Sequence, residues 1–498
     1  MQPALLPGPV LLQPTEALPP AGLEAWAGAC ADALEAGETL LTLSGRVLDE
    51  PAGQVLVTAV LLPARGPMRV LRGLGAPGAS YPSLTQRFPA AQMFERELWE
   101  QTGLQPAGHP WCKPVRYEGA RQQQMHQHPF FVLRGPQVHE VGVGPVHASV
   151  IEPGHFRFMC LGEEVHHLEI QLGYQHRGVE ALLLRHPPLA LASRVECIVG
   201  DSTIAYTGAY CQAVEALAGV VVASTAQRVR GIALELERIA MHLAALTGLA
   251  TDIAHLQGGA TLGRLRTAII NATMRLCGSR FGRGWLRPGG VRFGINDAQR
   301  ADLQQTLAAF STDVVQIGGL LQSARSVRAR LQGVGVVAPQ VARDLGLVGL
   351  SARACGQAQD LRARLPGSLY GAHPIPLQTQ PDGDCWARML LRLREIDDSV
   401  AWIQGLLAGS QALNGEASLL PPGGLAPDSL CVSVQEGFRG PVIQVLETDA
   451  HGALRHYKLQ DPSLCNWFGL AWAVRHNDIS DFPICNKSFD LSYCGNDL

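Results

Sequence analysis

The spacing of apolar residues along this chain changes near residue 140. Before it, Thr39 to Val47 and Gln54 to Leu62 are short runs rich in Val, Leu and Thr on either side of Pro51-Ala52-Gly53. That pattern predicts two strands joined by a turn. Phe88 to Gly103 predicts a helix, with Phe94, Leu98 and Trp99 turned inward and Glu95, Arg96, Glu97 and Glu100 outward. Pro106, Pro110, Pro114, Pro129 and Pro136 then mark a loop-like connector.

From about Gly144 the apolar positions recur every three or four residues. Ile232, Leu236, Ile239, Leu243 and Leu246 make one stripe; Leu303, Leu307, Phe310, Val314, Ile317 and Leu321 make a second. Met389, Leu393, Ile396, Val400, Ile403 and Leu407 make a third. Three long one-sided helices predict a bundle, and Asn296 or Asp297 stands where the second needs an N-cap. Cys431 to Val434 and Val442 to Leu446 flank Glu436-Gly437-Phe438-Arg439-Gly440, a predicted hairpin. The tail from Asp481 to Leu498 carries Phe482, Ile484, Phe489, Leu491 and Tyr493, and is expected to be buried. The fold class expected is α+β: a small α/β module over residues 1–140, then a mainly helical bundle with small antiparallel β elements over 141–498.

Composition removes several alternatives. With 498 residues, 47% apolar and 17% charged, the chain supports a large core of two or three domains and is not a disordered protein. Lys and Arg number 40 against 43 Asp and Glu, a net charge of −3, so no positive field exists to hold nucleic acid. The best apolar run, Ala216 to Ala223, ends at Ser224-Thr225 and Arg228, well short of the ~20 residues of a membrane span. Met1 to Pro20 has no basic n-region and six prolines, so no signal peptide is expected, and the chain is read as cytoplasmic. None of the 12 cysteines forms a C-x-x-C pair. They read as small buried apolar residues rather than as ligands of zinc or an iron–sulfur cluster.

His147, His155, His166, His167, His176 and His186 crowd one stretch, but none stands four residues from another, and the neighbours His166 and His167 point apart, so no metal is expected here. Ile151-Glu152-Pro153-Gly154-His155 places a carboxylate and an imidazole around one turn, and both exchange protons when buried. In His176-Arg177-Gly178-Val179-Glu180, Arg177 and Glu180 have the spacing of a helical ion pair. Gly282-Arg283-Gly284-Trp285 lacks the third glycine and the preceding strand of a dinucleotide loop.

Several of these segments together resemble one family. Gly144-Pro145-Val146-His147, Ile151 through Phe158, Leu172 through Glu180, Leu236 through Leu243, Arg287-Pro288-Gly289-Gly290-Val291 and Glu436 through Gly440 look like the large subunit of energy-converting nickel–iron hydrogenases. That subunit is similar to the 49-kDa (D) subunit of respiratory complex I. Pro89-Ala90-Ala91, Glu95-Arg96-Glu97 and Gly103 to Pro110 resemble the 30-kDa (C) subunit. The order resembles the fused subunits of hydrogenase-4 and formate hydrogenlyase.

The resemblance also exposes departures. Nickel–iron centres need four thiolates from two C-x-x-C motifs. The family's R-V-C-G-I-C-G lines up with Arg194 to Gly200, which puts Glu196 and Val199 at the ligand positions. Its D-P-C-x-x-C-x-D lines up with Asp490 to Asp497, which puts Ser492 and Gly495 there. Cys197 and Cys494 each stand one residue off. The resemblance therefore implies a nickel-free relative without hydrogenase activity and with no cofactor of its own. It implies a small iron–sulfur partner (the B subunit of complex I) carrying a [4Fe-4S] cluster, antiporter-like membrane subunits, and NAD(P)H linked only through a distant subunit. It also implies a place on the cytoplasmic face of the inner membrane and a vacated cavity that receives quinone or a similar acceptor.

Glu152 matches a proton-relaying glutamate, so Glu152, His155 and Glu196 are expected to form a proton-coupled site. His147, His176, Arg177 and Asp490 are expected to line the quinone cavity. The tyrosine that touches quinone in complex I falls near Glu196, where this chain has none, and the second histidine of the His147 loop has no counterpart. A non-catalytic scaffold subunit is the alternative.

Overall fold

The computed structural model describes residues 8–48, 53–118, 125, 127–148, 150–415 and 424–498. Strands β2 (Ala21–Gly22), β3 (Thr39–Val47), β4 (Val55–Leu62) and β5 (Arg69–Gly75) form one sheet in the order β2-β5-β4-β3. Helix α1 (Leu23–Glu35) and helix α2 (Gln92–Thr102) cover one face, enclosing Trp26, Cys30, Val57, Leu61 and Leu98. The uninterrupted apolar run of β4 has a physical reason, since its other face is buried too. Val60 and Leu62 pack with Val432, Val434, Ile443 and Val445 of a second sheet, as expected of a strand covered on both sides. β6 (Ser80–Pro82) and β7 (Gln105–Ala107) add a short parallel pair.

The second sheet joins the two ends of the chain. β1 (Val10–Pro14) pairs with β13 (Ser429–Glu436), which pairs with β14 (Pro441–Thr448) and then β15 (Leu454–Gln460), all antiparallel. The first strand thus lies outside the sheet of the N-terminal module. Charges on α2 depart from expectation: Glu95, Arg96 and Glu97 are buried, the first two against residues 83–85 and 113–114 of the same module and Glu97 against Lys458 of the C-terminal half. Glu95 accepts from Ser83 Oγ at 2.7 Å and from the Leu84 and Thr85 amides at 2.9 and 3.0 Å. Glu97 accepts from Lys458 Nζ at 2.5 Å and pairs with Arg116.

β8 (Val138–Val143), β9 (His155–Leu161) and β10 (Glu164–Gln171) form a three-stranded antiparallel sheet. The short helices α3 (Val179–Leu184) and α4 (Ala192–Val195) follow, then α5 (Thr203–Leu217), and then the bundle: α6 (Ser224–Asp252), α7 (Leu256–Cys277), α8 (Asp297–Ser323) and α9 (Cys385–Ala408). All three predicted stripes are buried. Asn296 caps α8 through a reciprocal box with Gln299, at 2.9 and 3.1 Å. β11 (Leu286–Arg287) and β12 (Gly290–Val291) make a small ribbon.

The tail, α10 (Pro462–Ala473), α11 (Phe482–Phe489) and α12 (Tyr493–Asp497), packs inward, with Phe489 and Leu498 buried. Among the described residues no helix is long and apolar enough to cross a membrane. The expected Arg177–Glu180 pair is absent, because Gly178 adopts a left-handed φ of 65° and starts α3 after Arg177. Glu180 instead accepts from Lys458 Nζ at 3.1 Å and the Leu459 amide at 2.9 Å.

Candidate functional site

The loop between β8 and β9 carries the first group of sequence-predicted residues. Its two histidines brace it crosswise: His147 Nε2 bonds the Gly154 carbonyl at 2.7 Å, and His155 Nδ1 bonds the Gly144 carbonyl at 3.2 Å. Gly144 has φ +90°, and a Cβ there would meet Gly154 O at 2.2 Å and His147 Nε2 at 2.5 Å, so only glycine closes this loop. His147 and His155 thus hold the loop's shape. Between them Glu152 reaches the C-terminal segment, where the Cys494 amide donates to Glu152 Oε2 at 3.0 Å. Partial desolvation raises the Glu152 pKa above its ordinary value; the Cys494 amide pulls it down, and the nearby charge of Asp201 adds to the rise.

Two arginines and the tail define the rest. Arg177 donates to the carbonyls of Cys197, Ile198 and Cys494 at 3.3, 2.7 and 3.3 Å, tying the two ligand-bearing segments of the family pattern together. His176 Nδ1 contacts the Asp497 carbonyl at 2.8 Å and so serves the same seam. Arg439, from the hairpin turn, grips Asp201 bidentately at 2.8 and 2.8 Å and donates to the Asp490 carbonyl. Asp490 itself sits in the left-handed region. Burial raises its carboxyl, but Lys487, Arg439 and Arg392 outweigh that and hold it below the usual range. Glu152, Arg177, Asp201, Arg439, Asp490 and Cys494 therefore form one polar cluster.

Glu196 does not join it. Its Oε1 accepts from the Gly284 amide at 2.8 Å, and Arg283 is the charge that acts on it, so its carboxylate is drawn toward the 282–284 loop rather than toward Glu152. Burial raises its pKa. The other three ligand positions are filled in ways that leave nothing to bind nickel. Val199 is 1% exposed and has no donor atom. Ser492 caps α12, its Oγ accepting from the Gly495 amide at 2.9 Å. A Cβ on Gly495 would meet Asp461 Oδ2 at 2.4 Å and Ser492 Oγ at 2.9 Å. Asp461 is held there by the Tyr206 hydroxyl and by the Ser463 amide at 2.7 Å. A hydrogen-bonded polar knot thus stands where a thiolate would project, and the residues present do not fit a nickel–iron centre.

Behind this cluster runs a buried charge network that the sequence reading missed. Arg392 donates to the Ser488 and Phe489 carbonyls at 2.9 and 3.1 Å and to His242 Nδ1 at 3.2 Å. His242 Nε2 meets Glu395 at 2.9 Å, and Arg353 bridges Glu395 at 2.7 Å and Glu436 at 3.1 Å. Arg238, Glu235, Arg362 and Tyr370 continue it to the wall of a cavity of about 380 Å³. Burial pushes the His242 pKa down to about 4 and that of Arg392 down to about 10. The signal was present: Glu235, Arg238 and His242, and Arg388, Arg392 and Glu395, recur at helical spacing beside the apolar stripes.

Comparison with known proteins places this geometry. Residues 252–417 match the family described as respiratory-chain NADH dehydrogenase, 49 Kd subunit, and residues 19–130 match the 30 Kd subunit. Subunit 4 of the Thermus thermophilus NADH-quinone oxidoreductase is 30% identical over 71% of this chain and 92% of its own. Formate hydrogenlyase subunit 5 of Escherichia coli is 29% identical over 83% of this chain and 76% of its own. Hydrogenase-4 component G of the same organism is 28% identical over 84% and 76%. A chain in the solved structure of a membrane-bound sulfane sulfur reductase, an archaeal respiratory membrane complex, shares the fold. Its TM-score is 0.67 at 22% identity, over 73% of this chain and 99% of that one.

Proposed function

Because the chain belongs to the family of the complex I 49-kDa (D) subunit, here fused to a 30-kDa-type module, we propose that it is the nickel-free redox-coupling subunit of a membrane-docked oxidoreductase complex. In this reading it takes electrons from the [4Fe-4S] cluster of a small iron–sulfur partner and helps pass them to a quinone or similar acceptor. Each quinone reduced to quinol takes up two electrons and two protons. NAD(P)H enters only through a distant subunit. Antiporter-like membrane subunits anchor the assembly to the cytoplasmic face of the inner membrane. The support is that relatives of both kinds, NADH-quinone oxidoreductase and hydrogenase subunits, match most of the chain.

The observation that carries the mechanism is the Glu152 carboxyl. Its pKa is raised above the ordinary carboxylate value by desolvation, the direction that favours holding and passing on a proton. It bonds the tail at Cys494 beside the Arg439–Asp201 pair. His147 and His155 position its loop, Arg177 and His176 hold the seam, and Asp490 anchors Arg439. Glu196, turned to Gly284, has no part in this relay.

The test is quinone-analogue-dependent turnover of the intact complex with Glu152→Gln. The expected result is a loss of ~10²–10⁴-fold, the span of general acid–base catalysis, with assembly unchanged; unchanged turnover removes Glu152 from the reaction. The tight filling around Gly495 favours a second reading, a coupling scaffold with no acceptor site. That reading is selected if quinone analogues neither accept electrons nor inhibit.

A further inference from the structure

Three ligand-bearing side chains meet on the far edge of the β8–β10 sheet, outside the cluster above. Glu164 and His166 lie at the start of β10, and His476 lies in the connection between α10 and α11. Glu164 Oε1 is 2.8 Å from His476 Nδ1 and 3.8 Å from His166 Nε2. One ligand atom from each residue falls within 4.8 Å of the others. In a tetrahedral zinc site with bonds of ~2.0–2.1 Å, ligand atoms stand ~3.3 Å apart, a value these contacts bracket.

Two further observations point to an ion. His166 Nε2 is shut off from water and has no hydrogen-bond partner, an unsatisfied lone pair or N–H facing the other two ligands. The backbones behind the ligands are fixed to each other. The His476 amide donates to Val165 O at 2.8 Å, the Val165 amide to Asn477 O at 3.0 Å, and the Ile479 amide to Glu163 O at 2.9 Å. His476 is held at φ +60°, an uncommon conformation for a residue other than glycine. The two imidazole rings stand edge to face with centroids 5.8 Å apart.

We propose that Glu164, His166 and His476 bind a divalent first-row transition ion of the zinc class, with a fourth position open to water. Two imidazoles and one carboxylate suit zinc rather than calcium or magnesium, which take oxygen ligands. The ion clamps β10 to the connection that leads into α11, and hence to the base of the tail that carries Asp490. Local spacing hides this set, because His476 lies 312 residues beyond Glu164.

The experiment titrates the full chain with Zn2+ by calorimetry, and with Co2+ followed by visible absorption. The proposal expects one site whose cobalt spectrum is that of a four- or five-coordinate nitrogen–oxygen set. In His166→Ala/His476→Ala the affinity should fall by more than the ~10–100-fold that outer-shell changes cost. Glu164→Gln, milder at this exposed position, should weaken the site without removing it. Unchanged binding in the double variant overturns the proposal, and so does a thiolate-to-cobalt band that Cys197→Ser abolishes. None of these readouts depends on electron transfer, so the result stands apart from the redox reading.

Discussion

Restoring a cysteine at Gly495 should damage the fold without restoring a metal site. The new Cβ would lie 2.4 Å from Asp461 Oδ2, 2.6 Å from its Cγ and 2.9 Å from Ser492 Oγ. Neither neighbour is the free end of a flexible chain: Asp461 is tied by Tyr206 and the Ser463 amide, and Ser492 caps α12. Overpacking of this kind costs ~1–3 kcal/mol, and loss of the Ser492 cap adds ~1 kcal/mol. At ~2.1 cal/mol/K per residue, 498 residues unfolding as one unit have an unfolding entropy of about 1 kcal/mol/K. Each kcal/mol therefore moves Tm by about 1 °C, and Gly495→Cys should unfold about 2–4 °C below the wild type by calorimetry. Gly495→Ala should lose nearly as much, because the clash comes from Cβ and not from sulfur. The quadruple variant with cysteine at 196, 199, 492 and 495 should take up no nickel. A Gly495→Cys protein as stable as wild type, or a quadruple variant binding one nickel, would refute the packing argument.

Three further outcomes follow from the buried charges and the braced loop. Arg353→Ala removes the buried guanidinium that bridges Glu395 and Glu436 and should cost ~3–5 kcal/mol. Arg264→Ala, whose pair with Asp313 is exposed, should cost ~0–1 kcal/mol; equal urea midpoints would contradict this. His242 is held neutral in the fold, with its pKa lowered to about 4. As pH falls from ~6.5 toward 4 the unfolded chain binds the proton first, so stability declines across that window, by at most ~1.4 kcal/mol per pH unit. The slope should flatten in His242→Gln when stability is followed by denaturant titration, and an unchanged slope counts against a neutral His242. Gly144→Ala should dislodge Glu152 by breaking the His147 and Gly154 contacts; the expected signature is lost turnover with far-UV dichroism unchanged, and full turnover would show the loop is not held as described.

Local pattern carried much of the architecture. β3 covers Thr39–Val47 as its β-branched run predicts, the three stripes are helices, and the Glu436–Gly440 turn joins two strands. What the pattern missed depends on long-range pairing. Val10–Pro14 is a strand only because Ser429–Ser433 lies beside it. Glu95, Arg96 and Glu97 read as solvated because helical spacing does not announce the loops at 83–85 and 113–114, or Lys458, that fold over them. The same blindness hid the Arg392–His242–Glu395 line, since charged residues at helical spacing look the same whether they face water or counter-charges. For the site, the family resemblance singled out Glu152 as a proton relay and Arg177 and Asp490 as cavity residues, and the fold brings all three into one polar cluster. It did not reveal that Glu196 turns to the Gly284 amide, that Asp461 blocks position 495, or that Arg439 and Asp201 complete the cluster.

In this hydrogenase-like scaffold a hydrogen-bonded knot of Asp461, Tyr206, Ser463 and Ser492 fills ligand positions 492 and 495, while Glu196 turns to Gly284 and Val199 is buried without a donor atom. Nickel content of the intact complex, measured by mass spectrometry on the purified assembly, tests that claim most directly. Far less than one nickel per chain is the expected result; one nickel per chain, retained through purification, would contradict it.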